Sequence, residues 1–193
     1  MSNPCEADDA KLISSLFSSQ ANMIEQVIPE LEDLFGPTDW MSPALLFDRT
    51  KYYEKEMGWP LHRRFVSFET LIRPEEIVEI KWKTNALEKK YAHNGKRKIN
   101  IDPGYIALER LVLATGKNYT HRIYLWKGIY ADLTLIFQRG SFSPLPWSYR
   151  DYSDPEAIGF FNAVRERYKR QIRGLGKTEI EQDSKSVKRK EEF

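Results

Sequence analysis

The chain is nearly without cysteine: Cys5 stands alone among 193 residues. One thiol excludes an intrachain disulfide framework and a cysteine-built zinc site, and it fits a reducing cytoplasm best. Apolar runs are short, none near the roughly 20 residues that a membrane-crossing helix requires. The opening MSNPCEADDA is acidic and polar, unlike a secretory leader. A cytoplasmic protein with no membrane partner is the expectation. Histidine is scarce as well. His62, His93 and His121 lack HxH or HxxxH spacing, so no metal site is expected. No P-loop, GxGxxG or Gly-x-Ser-x-Gly segment occurs. RNP-like aromatic strands are missing, which removes the usual means of binding RNA on a sheet. An excess of one charge is missing too: 30 Lys+Arg face 28 Asp+Glu, a net +2. Dedicated duplex binders carry a strong basic excess, so nucleic acid is not the expected partner.

What is present suits a globular domain. Hydrophobic residues make up 41% and charged residues 30%, and the length allows one self-sufficient core. Residues 1–10 are expected to be a flexible leader and 11–173 a single α+β domain. The last stretch, 174–193, is highly charged and nearly devoid of apolar residues, so a disordered tail is expected there.

KLISSLFSS suits either a buried strand or the start of a helix. The strand is favoured because Ser18 and Ser19 then offer an N-cap to a helix over 20–35. That helix carries Ile24, Val27, Ile28, Leu31, Leu34 and Phe35 on one stripe, Pro29 interrupts its bonding, and Gly36-Pro37 stops it. MSPALLFD reads as a second strand, and RTKYYEKEMGWP as a connection with a helical turn or two. LHRRFVSFE alternates, with Leu61, Arg63, Phe65 and Ser67 on one side and His62, Arg64, Val66 and Phe68 on the other, as a strand does. Pro74 opens a helix over 74–92 that buries Ile77, Ile80, Thr84, Leu87 and Tyr91, and Asn94-Gly95 closes it. With INID as the next strand, the order is strand, helix, strand, strand, helix, strand. This predicts an α+β fold: an antiparallel-rich sheet with helices on one face, a ferredoxin-like βαββαβ core, extended by a β-hairpin and a C-terminal helix. GSFSPLPWSYRDYS reads as a crossing loop. Asp154-Pro155 then starts the last helix, with Ile158, Phe161, Val164, Tyr168 and Ile172 as its packing stripe.

Residues 98–139 form the longest β-like run and hold the densest set of polar residues in apolar surroundings. Asp102-Pro103-Gly104 reads as a turn, as does Gly116-Lys117-Asn118. A three-residue loop at Trp126-Lys127-Gly128 sets Leu125 opposite Ile129, with Gly128 left-handed. Arg122 then lies opposite Asp132 and Tyr124 opposite Tyr130, while His121 faces Leu133 on the apolar side. A two-residue loop pairs Ile123 with Asp132 and mixes faces, so face matching selects the longer loop.

NIDPGY, LVLATGKN, HRIYL, GIYADLTL and PWSYRDY resemble the signature segments of a bacterial family, domain of unknown function 4416. LFDRTKYYEKEMG and FETLIRPEEIVEIKWKTNALE resemble its earlier segments. The likeness spans roughly residues 10–172, carried by many short motifs in order. It implies a single cytoplasmic domain and brings no mechanism with it.

The candidate site is the polar face of the central hairpin. Arg122 and Lys117 suit a phosphate or carboxylate, Tyr124 and Tyr130 a ring, and Asp132 pairs with Arg122. His121 has the chemistry of an acid or base near neutrality, though its expected direction makes it a core histidine. Asp102 suits a cation or a base role, or simply its own turn. Tyr149 and Asp151, in the aromatic loop, would form part of a wall or lid. The reading is a domain that binds a small anionic or nucleotide-like ligand. Antiparallel sheets also leave faces wet, and Tyr and Arg anchor interfaces, so the alternative is a non-catalytic protein-interaction module using its Tyr/Arg-rich surface and basic tail.

Overall fold

The structure, a computed structural model, describes residues 3–48 and 50–174. Leu12 and Leu16 alternate with Ile13 and Phe17, and all four are buried, so this segment is a central strand, β1 (Ala10–Ser18). α1 (Ala21–Phe35) follows, ended at Gly36. Neither serine caps it. Ser18 Oγ donates to the Lys98 carbonyl at 2.6 Å, and Ser19 is drawn to the Met57 carbonyl, so Gln20 takes the capping position.

The expected second strand over 41–48 is two short ones, β2 (Thr38–Met41) and β3 (Leu45–Phe47). Pro43 lies in the break, where it has no N–H to give. Ser42 bridges it, its N–H to the Phe65 carbonyl and its Oγ accepting from Phe65 N. Both strands pair with β4 (Leu61–Ile72), after the single turn α2 (Glu54–Met57). A 3-10 turn at Pro74–Glu76 leads into α3 (Ile77–Lys90).

β5 (Asn100–Ile106) runs straight through Asp102-Pro103-Gly104, which is therefore no turn. All three residues pair with β1, and β6 (Arg110–Thr115) pairs with β5 only from Gly104 onward. Pro103 thus sits beyond that ladder's start, where its missing N–H breaks no bond to β6. Gly104 is there for closeness: a Cβ would stand 2.4 Å from the Val112 carbonyl oxygen.

β7 (Arg122–Trp126) and β8 (Ile129–Gln138) form the hairpin. Arg122 opposes Asp132 and Tyr124 opposes Tyr130. The loop, however, is the two-residue Lys127-Gly128, with φ of 47° and 76°. Trp126 opposes Ile129, and a bulge at Leu125 restores the faces further down. The crossing loop contains one more strand, β9 (Ser141–Pro144), along β8. A 3-10 turn at Arg150–Tyr152 precedes α4 (Pro155–Ile172).

The sheet order is β2-β4-β1-β5-β6-β8-β7, antiparallel at every pair, with β3 beside β4 and β9 beside β8. This is an α+β fold with α1 and α3 on one face, where Ile24, Leu31, Ile77 and Ile80 meet Leu16, Val66, Phe68 and Ile101. The alternate side chains, Ile13, Phe65, Leu113 and Leu135, meet Phe160, Phe161, Val164 and Tyr168 of α4. No helix among the described residues is long and apolar enough to cross a membrane. Residues 3–9 carry no regular element, although the Tyr168 hydroxyl donates to the Asp9 carbonyl at 2.6 Å. The tail expected at the C-terminus lies, from residue 175, outside the described residues.

Candidate functional site

Sheet register aligns side chains in rows across the face that α4 partly covers. Arg63, Phe17 and Asn100 make one row, Phe65, Ser15 and Asp102 the next. Gly104, Leu113, Asp132 and Arg122 make a third. α4 contributes nothing beyond the last of its packed rows, and a cavity of about 740 Å³ opens there. That size accommodates a small organic ligand. Phe47, Thr50, Tyr52 and Tyr53, between β3 and α2, form one wall. The turn at Tyr149 to Tyr152 and the β6 end at Thr115 to Lys117 form others.

The floor is a polar network built where β5 is open on its β6 side. Lys81 reaches it from α3, donating to the Ile101 carbonyl at 2.9 Å and to Asp102 Oδ1 at 3.3 Å. Asn100 Nδ2 donates to Asp102 Oδ2 at 2.7 Å. Arg97 forks onto Glu56 through Nε at 2.7 Å and Nη2 at 2.9 Å, and its Nη1 reaches Asn100 at 2.7 Å. Those bonds hold the Glu56 carboxyl below its ordinary range and raise Arg97 above its own. Glu88 accepts from the Ile101 N–H at 2.6 Å and from Arg97 Nη1 at 3.4 Å. Burial nonetheless pushes its carboxyl upward, because the charged form has lost its water.

Arg63 stands at the back in an aromatic cage. Its guanidinium carbon lies 3.9 Å from the Phe47 ring centre and 5.1 Å from that of Phe17. It pairs with Asp151, and its Nε makes no hydrogen bond. Burial lowers its affinity for a proton. Burial likewise pushes Tyr53 up to about 12 and raises Tyr152, so both hydroxyls keep their protons.

The hairpin wall is tied by Arg122. Its Nε donates to Asp132 Oδ2 at 2.9 Å, Nη1 to the Lys117 carbonyl at 3.0 Å, and Nη2 to the Tyr149 hydroxyl at 2.6 Å. Asp132 is buried, so this pair is a joint between the hairpin and the two loops beside it. His121 joins them as a fifth member. Its Nε2 lies 3.3 Å from Asp132 Oδ2, and its ring stacks on Trp147 at 5.2 Å. The expectation that it faces Leu133 fails because β7 begins only at Arg122 and the chain has turned by His121.

Of the residues singled out from sequence, Arg122, Asp132, Lys117, Asp102, Tyr149 and Asp151 line the cavity. Tyr124, Tyr130 and His121 are not among its lining residues. The two tyrosines share the face but lie one row further out, ring to ring at 5.2 Å. Sequence reasoning missed Arg63, Lys81, Asn85, Glu88 and Arg97. Signals existed for some. Arg63 is a cation on a parity that otherwise carries Leu61 and Phe65, and Lys81, Asn85 and Glu88 repeat at helical spacing beside the apolar stripe. Arg97 left no such trace. Among the described residues no group of three His, Cys, Asp or Glu side chains is placed to hold a metal ion.

A family model described as Domain of unknown function (DUF4416) matches residues 8–168. No curated protein and no solved structure matches the chain.

Proposed function

Since this chain belongs to the DUF4416 family, whose description names no activity, we propose a function from the geometry: the domain binds a small anionic, nucleotide-like ligand in the cavity beside the hairpin. One observation carries the reading. Each acidic side chain lining the cavity already has a cation beside it: Asp102 has Lys81, Asp132 has Arg122, Asp151 has Arg63, and Glu88 shares Arg97 with Glu56. Lys117 and Arg150 remain, and among the described residues neither forms an ion pair. The uncompensated charge is therefore positive, and it lies at the exposed mouth. Tyr52 and Tyr53 add flat surfaces beside it, with Lys117 Nζ 5.3 Å from the Tyr52 ring centre. Arg122, each of whose three nitrogens already donates within the protein, holds the wall rather than the ligand.

The scaffold in this reading is a ferredoxin-like βαββαβ core within a single domain over 11–173, flanked by a leader and a charged tail. The order β2-β4-β1-β5 supports it, since each helix, α1 and α3, links two strands that flank a strand of the other unit.

Thermal shifts across a panel of nucleotides and metabolites test the proposal. Anionic members should stabilise the wild type, and a Lys117→Ala/Arg150→Ala variant should lose the shift. Equal shifts in both proteins sink it. A second reading, a protein-interaction module, is favoured by β7 alone: it is an edge strand on which Ile123, Tyr124, Leu125 and Trp126 are all exposed. Light scattering that finds only monomers, and pull-downs unchanged by Ile123→Lys, dispose of it.

A further inference from the structure

We infer that Asp102 and Asn85, on the cavity floor, read hydroxyl groups of the ligand, so that the preferred ligand is a hydroxyl-bearing phosphomonoester with its phosphate at Lys117 and Arg150. The inference rests on the anion-binding reading above and adds the identity and orientation of the ligand.

Asp102 is the floor's open acceptor. Its side chain is 36% exposed although its partner Lys81 is 8% exposed, so the opening is on the cavity side. Each carboxylate oxygen accepts one bond from the protein, from Lys81 and from Asn100. A carboxylate has about four lone-pair sites, so capacity for further donors is left. Next to burial, the Asp102 charge is the largest influence raising Tyr53, and it also raises Tyr149 and Tyr152. Asp102 and these three rings line the same cavity. Asn85 lines the same cavity, and its amide makes no hydrogen bond among the described residues.

Charge decides which group can meet this floor. A phosphate or carboxylate placed against Asp102 is repelled by it, so the anionic end stays at the mouth. An ammonium placed there competes with Lys81 Nζ, which is already 3.3 Å from Oδ1. A neutral hydroxyl suffers neither penalty. It donates to Asp102 and exchanges a bond with the Asn85 amide.

Calorimetric titrations at low salt test this, with inorganic phosphate, phenyl phosphate, ribose 5-phosphate and adenosine monophosphate as probes. The wild type should bind ribose 5-phosphate more tightly than phenyl phosphate or inorganic phosphate. Asp102→Asn should weaken ribose 5-phosphate about tenfold, the difference between a bond to a charged and a neutral acceptor. The same change should leave inorganic phosphate unaltered or tighter, since a negative charge is removed. Asn85→Ala, on a half-exposed helical position, is the second variant and should weaken ribose 5-phosphate alone. Adenosine monophosphate binding more tightly than ribose 5-phosphate, with the Asp102→Asn loss retained, supports the inference and assigns the site to nucleotides. Equal binding with that loss supports it and assigns sugar phosphates. If neither variant weakens ribose 5-phosphate, or phenyl phosphate binds as well, the inference falls and the anion site stands. If inorganic phosphate does not bind the wild type, or binds the Lys117→Ala/Arg150→Ala variant equally, both fall.

Discussion

Arg122 donates to a carboxylate, a carbonyl and a hydroxyl drawn from three separate segments, and its side chain is 10% exposed. Removing it strands the Asp132 charge beside His121 and the Thr134 hydroxyl, neither of which replaces a guanidinium. Arg122→Ala should therefore cost about 3–5 kcal/mol in denaturant unfolding. The double change Arg122→Met/Asp132→Leu should cost less, because no unpaired charge is left behind. A double variant as unstable as the single one contradicts this. Gly104→Ala should cost about 2 kcal/mol, because its Cβ meets Leu113 Cδ2 and also the Val112 carbonyl, a backbone group that cannot turn aside. Wild-type stability in that variant would mean that β6 can shift freely. Glu56 gives a pH signature. Its folded carboxyl lies below the ordinary value of 4.5, so the Arg97 bonds contribute stability above that pH and lose it as the pH falls through the folded value. Unfolding followed from neutral to acid pH should show a shallower loss in Glu56→Gln than in the wild type. Parallel curves would remove Glu56 from the account.

At the scale of elements, the β7–β8 hairpin shows what patterning can and cannot decide. Alternation of apolar and polar residues fixed which residues oppose one another, since a one-place slip turns Asp132 to the wrong face. It could not distinguish a three-residue loop from a two-residue turn followed by a bulge, because both restore the same parity. Both turn residues have positive φ, the geometry that favours Asn-Gly. Lys127→Asn should thus raise stability by up to about 1 kcal/mol, read as a higher melting temperature. A fall of that size would mean that the exposed Lys127–Glu79 contact matters more than the backbone. β5 is the opposite case. Asp-Pro-Gly has turn chemistry, and only tertiary context, an absent neighbour at Pro103 and a close one at Gly104, makes it a strand. The short β2, β3 and β9 were illegible or misread for the same reason: each exists by pairing with a long strand already in place.

At the scale of the molecule, the polar residues gather where helix cover ends. The sequence reading found the hairpin side of that hollow, because Arg122 and Asp132 stand out against apolar neighbours within one short stretch. It found Asp102 but missed the rest of the floor and the back, where Lys81, Arg97 and Arg63 arrive from a helix, a connecting segment and a strand that the fold alone brings together. It assigned ligand contact to Arg122 and Lys117 together; each nitrogen of Arg122 already donates within the fold, whereas Lys117, with Arg150 at the rim, is left without a carboxylate among the described residues. Electrostatic binding at such a mouth should weaken as salt rises. The most direct test is to locate an anion. Crystals soaked with tungstate, a heavy analogue of phosphate, should show an anomalous peak between Lys117 Nζ and the Arg150 guanidinium. Saturating tungstate that leaves this mouth empty, or settles only elsewhere on the surface, would contradict the account.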